Sequence, residues 1–125
     1  MLVAAYGTLR RGARANGIIE QVGTFVNSGT ITEQCRMVSL GGFPSICPLL
    51  QGMYKPRVDV YKVKDLQPLD RYEGFPHLYT RKEMDVTLDD ESVVKATVYV
   101  MEDPNDTINN VEVVNGDWIE FSKAR

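Results

Sequence analysis

The sequence predicts an α+β chain built as a small closed or nearly closed β-barrel with one or two short helices. Short apolar runs separated by turn residues recur along its length. Two neighbouring runs alternate with period two, and only two segments carry a helical pattern. The 125 residues suit one domain, and no repeat, low-complexity segment or linker divides them, so residues 1–125 are read as a single unit.

Met1 to Tyr6 is a short apolar run closed by Gly7, the pattern of a buried first strand. Arg14 to Val22 carries Ile18, Ile19 and Val22 on one side and predicts a helix of about two turns. Turn signals at Asn27-Ser28-Gly29 and Gly41-Gly42-Phe43-Pro44 bracket a strand over Thr30 to Leu40. Val58 to Val63 reads as a strand with neither face clearly polar.

Asp65 to Glu73 is the better helix. Asp65 is its expected N-cap, Pro68 fits the first turn, Leu66 and Leu69 face the core, and Gly74 and Pro76 stop it. Met84, Val86 and Leu88 then share one face of a strand, against Arg81, Glu83, Asp85 and Thr87. After Asp89-Asp90-Glu91, Val94, Ala96, Val98 and Val100 repeat the alternation, which predicts an antiparallel hairpin. Asn115-Gly116 marks a further tight turn.

Composition narrows the function. A hydrophobic fraction of 43% with 25% charged residues is that of a folded chain rather than a disordered one. Seventeen acidic against fourteen basic residues, net charge −3, speak against nucleic acid as the partner. No apolar run approaches a membrane span and no secretory leader is evident, so neither membrane association nor export is expected, and the location expected is cytoplasmic. Cys35 and Cys47 lack CxxC spacing and are expected as free thiols.

Two constellations carry candidate chemistry. In Tyr6-Gly7-Thr8-Leu9 a glycine at the end of a buried strand lets backbone N–H groups turn toward a ligand and hold a carboxylate or oxyanion. Composition alone favours reading the stretch, with Arg10, Arg11 and Arg14, as a polar loop with solvated arginines. It lacks the Gly-Lys-Ser/Thr ending of a phosphate-binding loop. The second is Leu69-Asp70-Arg71-Tyr72-Glu73-Gly74-Phe75-Pro76 with Tyr79 and Arg81. Glu73 ends the predicted helix, where the dipole disfavours a negative charge, and burial beside Tyr72 or Phe75 would raise its pKa. Taken alone it is also an ordinary exposed glutamate. Asp70, one turn earlier, is expected to pair with backbone N–H groups or Arg71. His77 is the single histidine, which excludes a histidine-rich metal site, and a Cys–His device would rest on that one residue.

Taken together these residues resemble the γ-glutamyl cyclotransferase-like family. Tyr-Gly-Thr-Leu after the first strand is similar to its opening, and Leu69-Asp70-Arg71-Tyr72-Glu73-Gly74 with Pro76, Tyr79 and Arg81 to its second signature. Phe43-Pro44, Val98-Tyr99-Val100 and Gly116-Asp117-Trp118 resemble further family positions, in family order. Arg57-Val58-Asp59-Val60-Tyr61 departs from the pattern by lacking a glycine–glutamate pair. The resemblance implies a small mixed barrel with a side helix. It also implies release of 5-oxoproline and a free amine from a small-molecule γ-glutamyl substrate, by attack of the substrate's own α-amine. Glu73 would then be the general acid/base, Tyr6, Gly7, Thr8, Leu9 and Tyr79 the substrate-binding residues, and Arg81 a support. No metal and no cofactor are implied, and monomer and homodimer both stay open. A non-catalytic binder of a small amino-acid-like or anionic ligand is the competing expectation.

Overall fold

The computed structural model describes residues 1–101 and 110–123. Seven strands and three helices follow in the order β1 (Leu2–Ala5), α1 (Asn16–Glu20), β2 (Gly23–Ile31), β3 (Arg36–Ser39), β4 (Pro44–Cys47), β5 (Arg57–Val63), α2 (Gln67–Glu73), β6 (Thr80–Leu88), β7 (Val93–Val100) and α3 (Trp118–Lys123). Five strands close a mixed barrel in the order β1-β5-β2-β6-β7, and β3 and β4 form a separate two-stranded sheet. All barrel pairs are antiparallel except β1 with β7, which is parallel at Val3 and Thr97.

The hairpin of β6 and β7 forms in the register that period two requires, with Met84 opposite Ala96 and Val86 opposite Val94. β5 reads without a polar face because both of its faces are covered. Val58 and Val60 join one apolar cluster with Ala4, Val86 and Val98, while Tyr61 and Val63 join another with Val3, Ile19 and Leu69. The second cluster receives α1 and α2, so the helices pack on the side of the barrel where the β1 end and Tyr99 meet.

Four expectations need correction. The segment Thr30 to Leu40 is not one strand: Thr30 and Ile31 end β2, and Arg36–Ser39 is β3. Asn27-Ser28-Gly29 is not a turn but lies inside β2, after a register shift between Phe25 and Asn27. Gly29 is there because a Cβ would stand 2.3 Å from the Thr87 carbonyl oxygen of β6. Turn-forming residues here serve close strand contact. Asp65 is not the N-cap of α2. That position is Leu66, and the Asp65 carboxylate instead accepts the Gln67 N–H at 3.0 Å. The first helix is also shorter than its pattern, five residues instead of nine, although Ile19 is buried as expected.

The loop after β1 is fixed by charge. Arg10, expected as a solvated arginine, is buried. Its Nε donates to Asp59 Oδ2 at 3.2 Å and its Nη1 to Asp117 Oδ1 at 3.0 Å. Asp59 also accepts the Arg11 N–H at 3.0 Å and the Ser28 hydroxyl at 2.7 Å, and Asp117 accepts the Glu120 N–H at the start of α3. One guanidinium therefore ties the loop to β5 and to the C-terminal helix. Removing one member of a buried, hydrogen-bonded ion cluster strands the others and costs about 3–5 kcal/mol. Arg10→Met should lower unfolding stability by that amount in urea titrations, and adding Asp59→Asn should recover part of it. A loss below about 1 kcal/mol for Arg10→Met would contradict the network's role.

Candidate active site

A cavity of about 210 Å³ opens where the β1 end, the Phe43-Pro44 corner and the end of α2 converge. Tyr6, Gly7, Thr8, Leu9, Glu73 and Tyr79 all line it, so both sequence constellations meet in one place. Arg14, Phe43, Pro44, Tyr72, Leu78 and Tyr99 also line it, with Val3, Ala4 and Ala5 of β1. Arg81 is not among its lining residues.

Glu73 is the last residue of α2, and Gly74 follows in the left-handed conformation (φ 68°) that ends the helix. The side chain is half-buried. Among the described residues no hydrogen bond or ion pair holds its carboxylate. Burial alone therefore acts on it, and pushes its pKa from 4.5 up to about 7.

The surrounding hydroxyl groups explain why Glu73 stays bare. Tyr6 donates to the Tyr99 carbonyl at 2.6 Å and accepts the Ile46 N–H at 3.2 Å. Tyr79 donates to the Pro44 carbonyl at 2.7 Å, and Tyr99 to Asp70 Oδ1 at 2.6 Å. Tyr72 shares a 2.7 Å bond with the Thr8 hydroxyl. Every tyrosine of the wall is thus committed elsewhere. Burial raises the pKa of Tyr6, Tyr79 and Tyr99, with the Glu73 charge a lesser cause, so these phenols stay neutral.

Asp70 does not pair with Arg71 or backbone N–H groups. It accepts the Tyr99 hydroxyl and lies 3.5 Å from Arg81 Nη1, while the Arg81 guanidinium sits 4.1 Å over the Phe75 ring. The two acids one turn apart therefore differ in role: Asp70 fastens α2 to β6 and β7, and Glu73 projects free. Sequence spacing could not separate them, because Tyr99 and Arg81 lie in other elements.

The loop supplies donors. The Arg10 N–H turns back to the Gly7 carbonyl at 3.1 Å and the Ala15 N–H to the Thr8 carbonyl at 3.0 Å. Among the described residues no acceptor takes the N–H of Gly7, Thr8 or Leu9. The missing Cβ of Gly7 serves packing as well, since it would stand 2.7 Å from Pro44 Cγ, and a side chain there would push the Phe43-Pro44 corner off the cavity. Asp59 escaped the sequence reading because the strand lacked the expected glycine–glutamate pair. Its place beside Arg11 and Ser28 shows only in three dimensions.

The cysteines offer no nucleophile at this site. Both are buried and neither forms a disulfide, and burial pushes the Cys35 thiol up to about 12. His77 lies in an exposed turn. Among the described residues no three His, Cys, Asp or Glu side chains are grouped to hold a metal ion, and no helix is long and apolar enough to cross a membrane.

A sequence model described as gamma-glutamyl cyclotransferase, AIG2-like, matches residues 3–120. The chain belongs to this family. No curated protein matches the sequence. Solved structures share the gamma-glutamyl cyclotransferase fold. An AIG2-like protein from Mus musculus superposes with a TM-score of 0.78 at 22% identity, covering 89% of this chain and 84% of that one. An uncharacterized protein from Pyrococcus horikoshii gives 0.71 at 21% identity, covering 99% and 94%. A structure named gamma-glutamyl cyclotransferase gives 0.67 at 18% identity, covering 90% and 69%.

In this member of the gamma-glutamyl cyclotransferase, AIG2-like family, the raised Glu73 carboxyl has a consequence for stability. It binds its proton more tightly in the folded chain than in the unfolded one. The stabilisation from its neutral form is complete below pH 4.5 and is lost as pH rises to about 7. Glu73→Gln, which stays neutral, should match the wild type near pH 4 and become more stable by ~3 kcal/mol above pH 7. Urea unfolding across that range checks it, and a stability difference independent of pH would contradict it.

Proposed function

We propose that the protein is a γ-glutamyl cyclotransferase-type enzyme releasing 5-oxoproline and a free amine from a γ-glutamyl amide. The observation that carries the reading is a carboxylate without a partner, with a pKa of about 7, in a cavity also lined by Gly7, Thr8 and Leu9, whose backbone N–H groups have no acceptor among the described residues. Family membership supports the reaction class.

The chemistry needs little from the protein. The substrate α-ammonium gives a proton to the Glu73 carboxylate, and the freed amine attacks the γ-carbonyl carbon to form a five-membered ring. Negative charge builds on the carbonyl oxygen, where N–H groups of Gly7, Thr8 and Leu9 can receive it. The bond from the γ-carbon to the departing nitrogen then breaks as Glu73 returns the proton to that nitrogen, and the ring nitrogen, which carries one proton too many after the attack, gives it up to solvent to become the lactam N–H. No bond to the enzyme forms. Glu73 suits both transfers because its pKa lies near neutrality, where an acid–base group is most effective.

The walls supply the geometry. Cyclisation requires the γ-glutamyl group to curl until its amine and carbonyl touch, and a confined cavity favours that near-attack shape over extended ones. At about 210 Å³ it is smaller than the roughly 300–1,000 Å³ of sites for drug-sized ligands, as suits an amino-acid derivative. Tyr6 and Tyr79 shape the wall through fixed hydroxyls and remain spectators in proton transfer.

The test is a screen of γ-glutamyl amides for equal release of 5-oxoproline and amine. On an active substrate, Glu73→Gln should lower turnover by about 10²–10⁴-fold while the chain stays folded. The Cys35→Ser/Cys47→Ser protein should retain activity. Near-normal turnover by folded Glu73→Gln would contradict the assignment, and binding without 5-oxoproline release would favour a non-catalytic ligand-binding role.

A further inference from the structure

Glu73 stands free at the end of α2, so contacts of its neighbours must hold it in place. The helix supplies little by itself. It has seven residues, Leu66 at its N-cap position offers no side-chain acceptor, and Leu69 is its buried residue. Isolated helices shorter than about 12–15 residues are marginal in water, so the last turn of α2 depends on its contacts with the barrel.

Those contacts converge on Asp70. Arg81 and Tyr99 stand directly opposite each other in the β6–β7 hairpin. The Tyr99 hydroxyl donates to Asp70 Oδ1 at 2.6 Å, and Arg81 Nη1 lies 3.5 Å from Oδ2. One cross-strand pair thus meets both oxygens of one carboxylate. The same guanidinium lies 4.1 Å over the Phe75 ring, and the Phe75 N–H donates to the Asp70 carbonyl at 2.9 Å. Asp70, Arg81 and Phe75 therefore form a closed circuit, and Glu73 lies between Asp70 and Phe75 in the chain. Neither Asp70 nor Arg81 lines the cavity, and a partly exposed ion pair by itself contributes little stability.

We infer, given the reading of Glu73 as the acid–base group, that Asp70 and Arg81 are positioning residues for proton transfer, a clamp that holds the last turn of α2 so that Glu73 stays in the cavity. The acidity of Glu73 reports on the clamp, because burial is its cause. A last turn that frays lets water reach the carboxylate, and its pKa then falls back toward the ordinary glutamate value. The other titratable side chains at the cavity are Tyr6 after β1, Arg14 ahead of α1, Tyr72 on α2, Tyr79 ahead of β6 and Tyr99 on β7. The substitutions that follow leave all of them unchanged. Charge and clamp predict different signs. Acting on Glu73 as charges, the two residues would oppose each other: Asp70→Asn would lower its pKa and Arg81→Met would raise it. Acting as a clamp, both substitutions lower it.

The test follows the Glu73 carboxyl signal by carbon-13 NMR in the wild type, Asp70→Asn, Arg81→Met and Arg81→Lys, with folding checked by circular dichroism. The titration midpoint should fall by roughly one to two units in both Asp70→Asn and Arg81→Met. It should fall less in Arg81→Lys, which keeps the cation and loses the planar stack on Phe75. On a γ-glutamyl amide at pH 7, Asp70→Asn and Arg81→Met should lower kcat roughly 3–30-fold and leave KM within about 2-fold. Added to Glu73→Gln, Arg81→Met should cost no further turnover, because its effect passes through the glutamate. Opposite shifts in Asp70→Asn and Arg81→Met, an unmoved midpoint in either folded protein, or lowered midpoints with unchanged kcat would overturn the inference. Where Arg81→Met does not fold, Arg81→Lys decides: a fall supports the clamp, and an unchanged midpoint overturns it. Lowered midpoints in a protein whose wild type releases no 5-oxoproline contradict the enzymatic reading and leave the clamp on Glu73 standing.

Discussion

A carboxylate can be kept out of water without a counter-charge only where everything around it is already bonded elsewhere. Glu73 is in that position. Tyr6, Tyr79 and Tyr99 flank its cavity, and their hydroxyls go to the Tyr99 carbonyl, the Pro44 carbonyl and Asp70. Any one of them turned toward Glu73 would stabilise the anion and lower its pKa. Their commitment to other acceptors leaves burial as the dominant influence, and it also holds β1, β4, α2 and β7 around the cavity.

The same bonds explain why the fold can be small. The barrel places the β1 end beside β7, and the hydroxyl of Tyr6 links that end to both Tyr99 and Ile46. Asp70 gathers Tyr99 and Arg81, so the short helix that carries Glu73 is tied to two barrel strands. On the far side of the loop, Arg10 joins Asp59 and Asp117. Glu73 itself has none of these duties. In a reaction whose nucleophile comes with the substrate, the protein needs rigid walls, amide donors and one proton carrier.

The legible parts of the sequence were those governed by local rules. Alternation alone places β6 and β7 in register, and Gly74 with Leu69 fixes the end and the buried face of α2. Glu73 and the Tyr6 to Leu9 loop are visible as a pair only through family resemblance, since each alone has an ordinary reading. The rest depends on contacts distant in sequence. Arg10 looks solvated until β5 and the C-terminal helix bring Asp59 and Asp117 to it. Asn27-Ser28-Gly29 looks like a turn until the approach of β6 at Thr87 shows why a glycine is needed inside a strand. Arg14, four residues from the guanidinium tied into the ion cluster, has the same side chain and a different setting.

The central claim is that Glu73 is an unpaired, desolvated acid poised near neutrality. Carbon-13 NMR of glutamate-labelled protein, with the Glu73 side-chain carboxyl signal assigned by its disappearance in Glu73→Gln, measures that property without reference to any substrate. The account predicts a titration midpoint close to the value of about 7 that burial imposes. A midpoint near 4.5, the ordinary value for a glutamate, would contradict it.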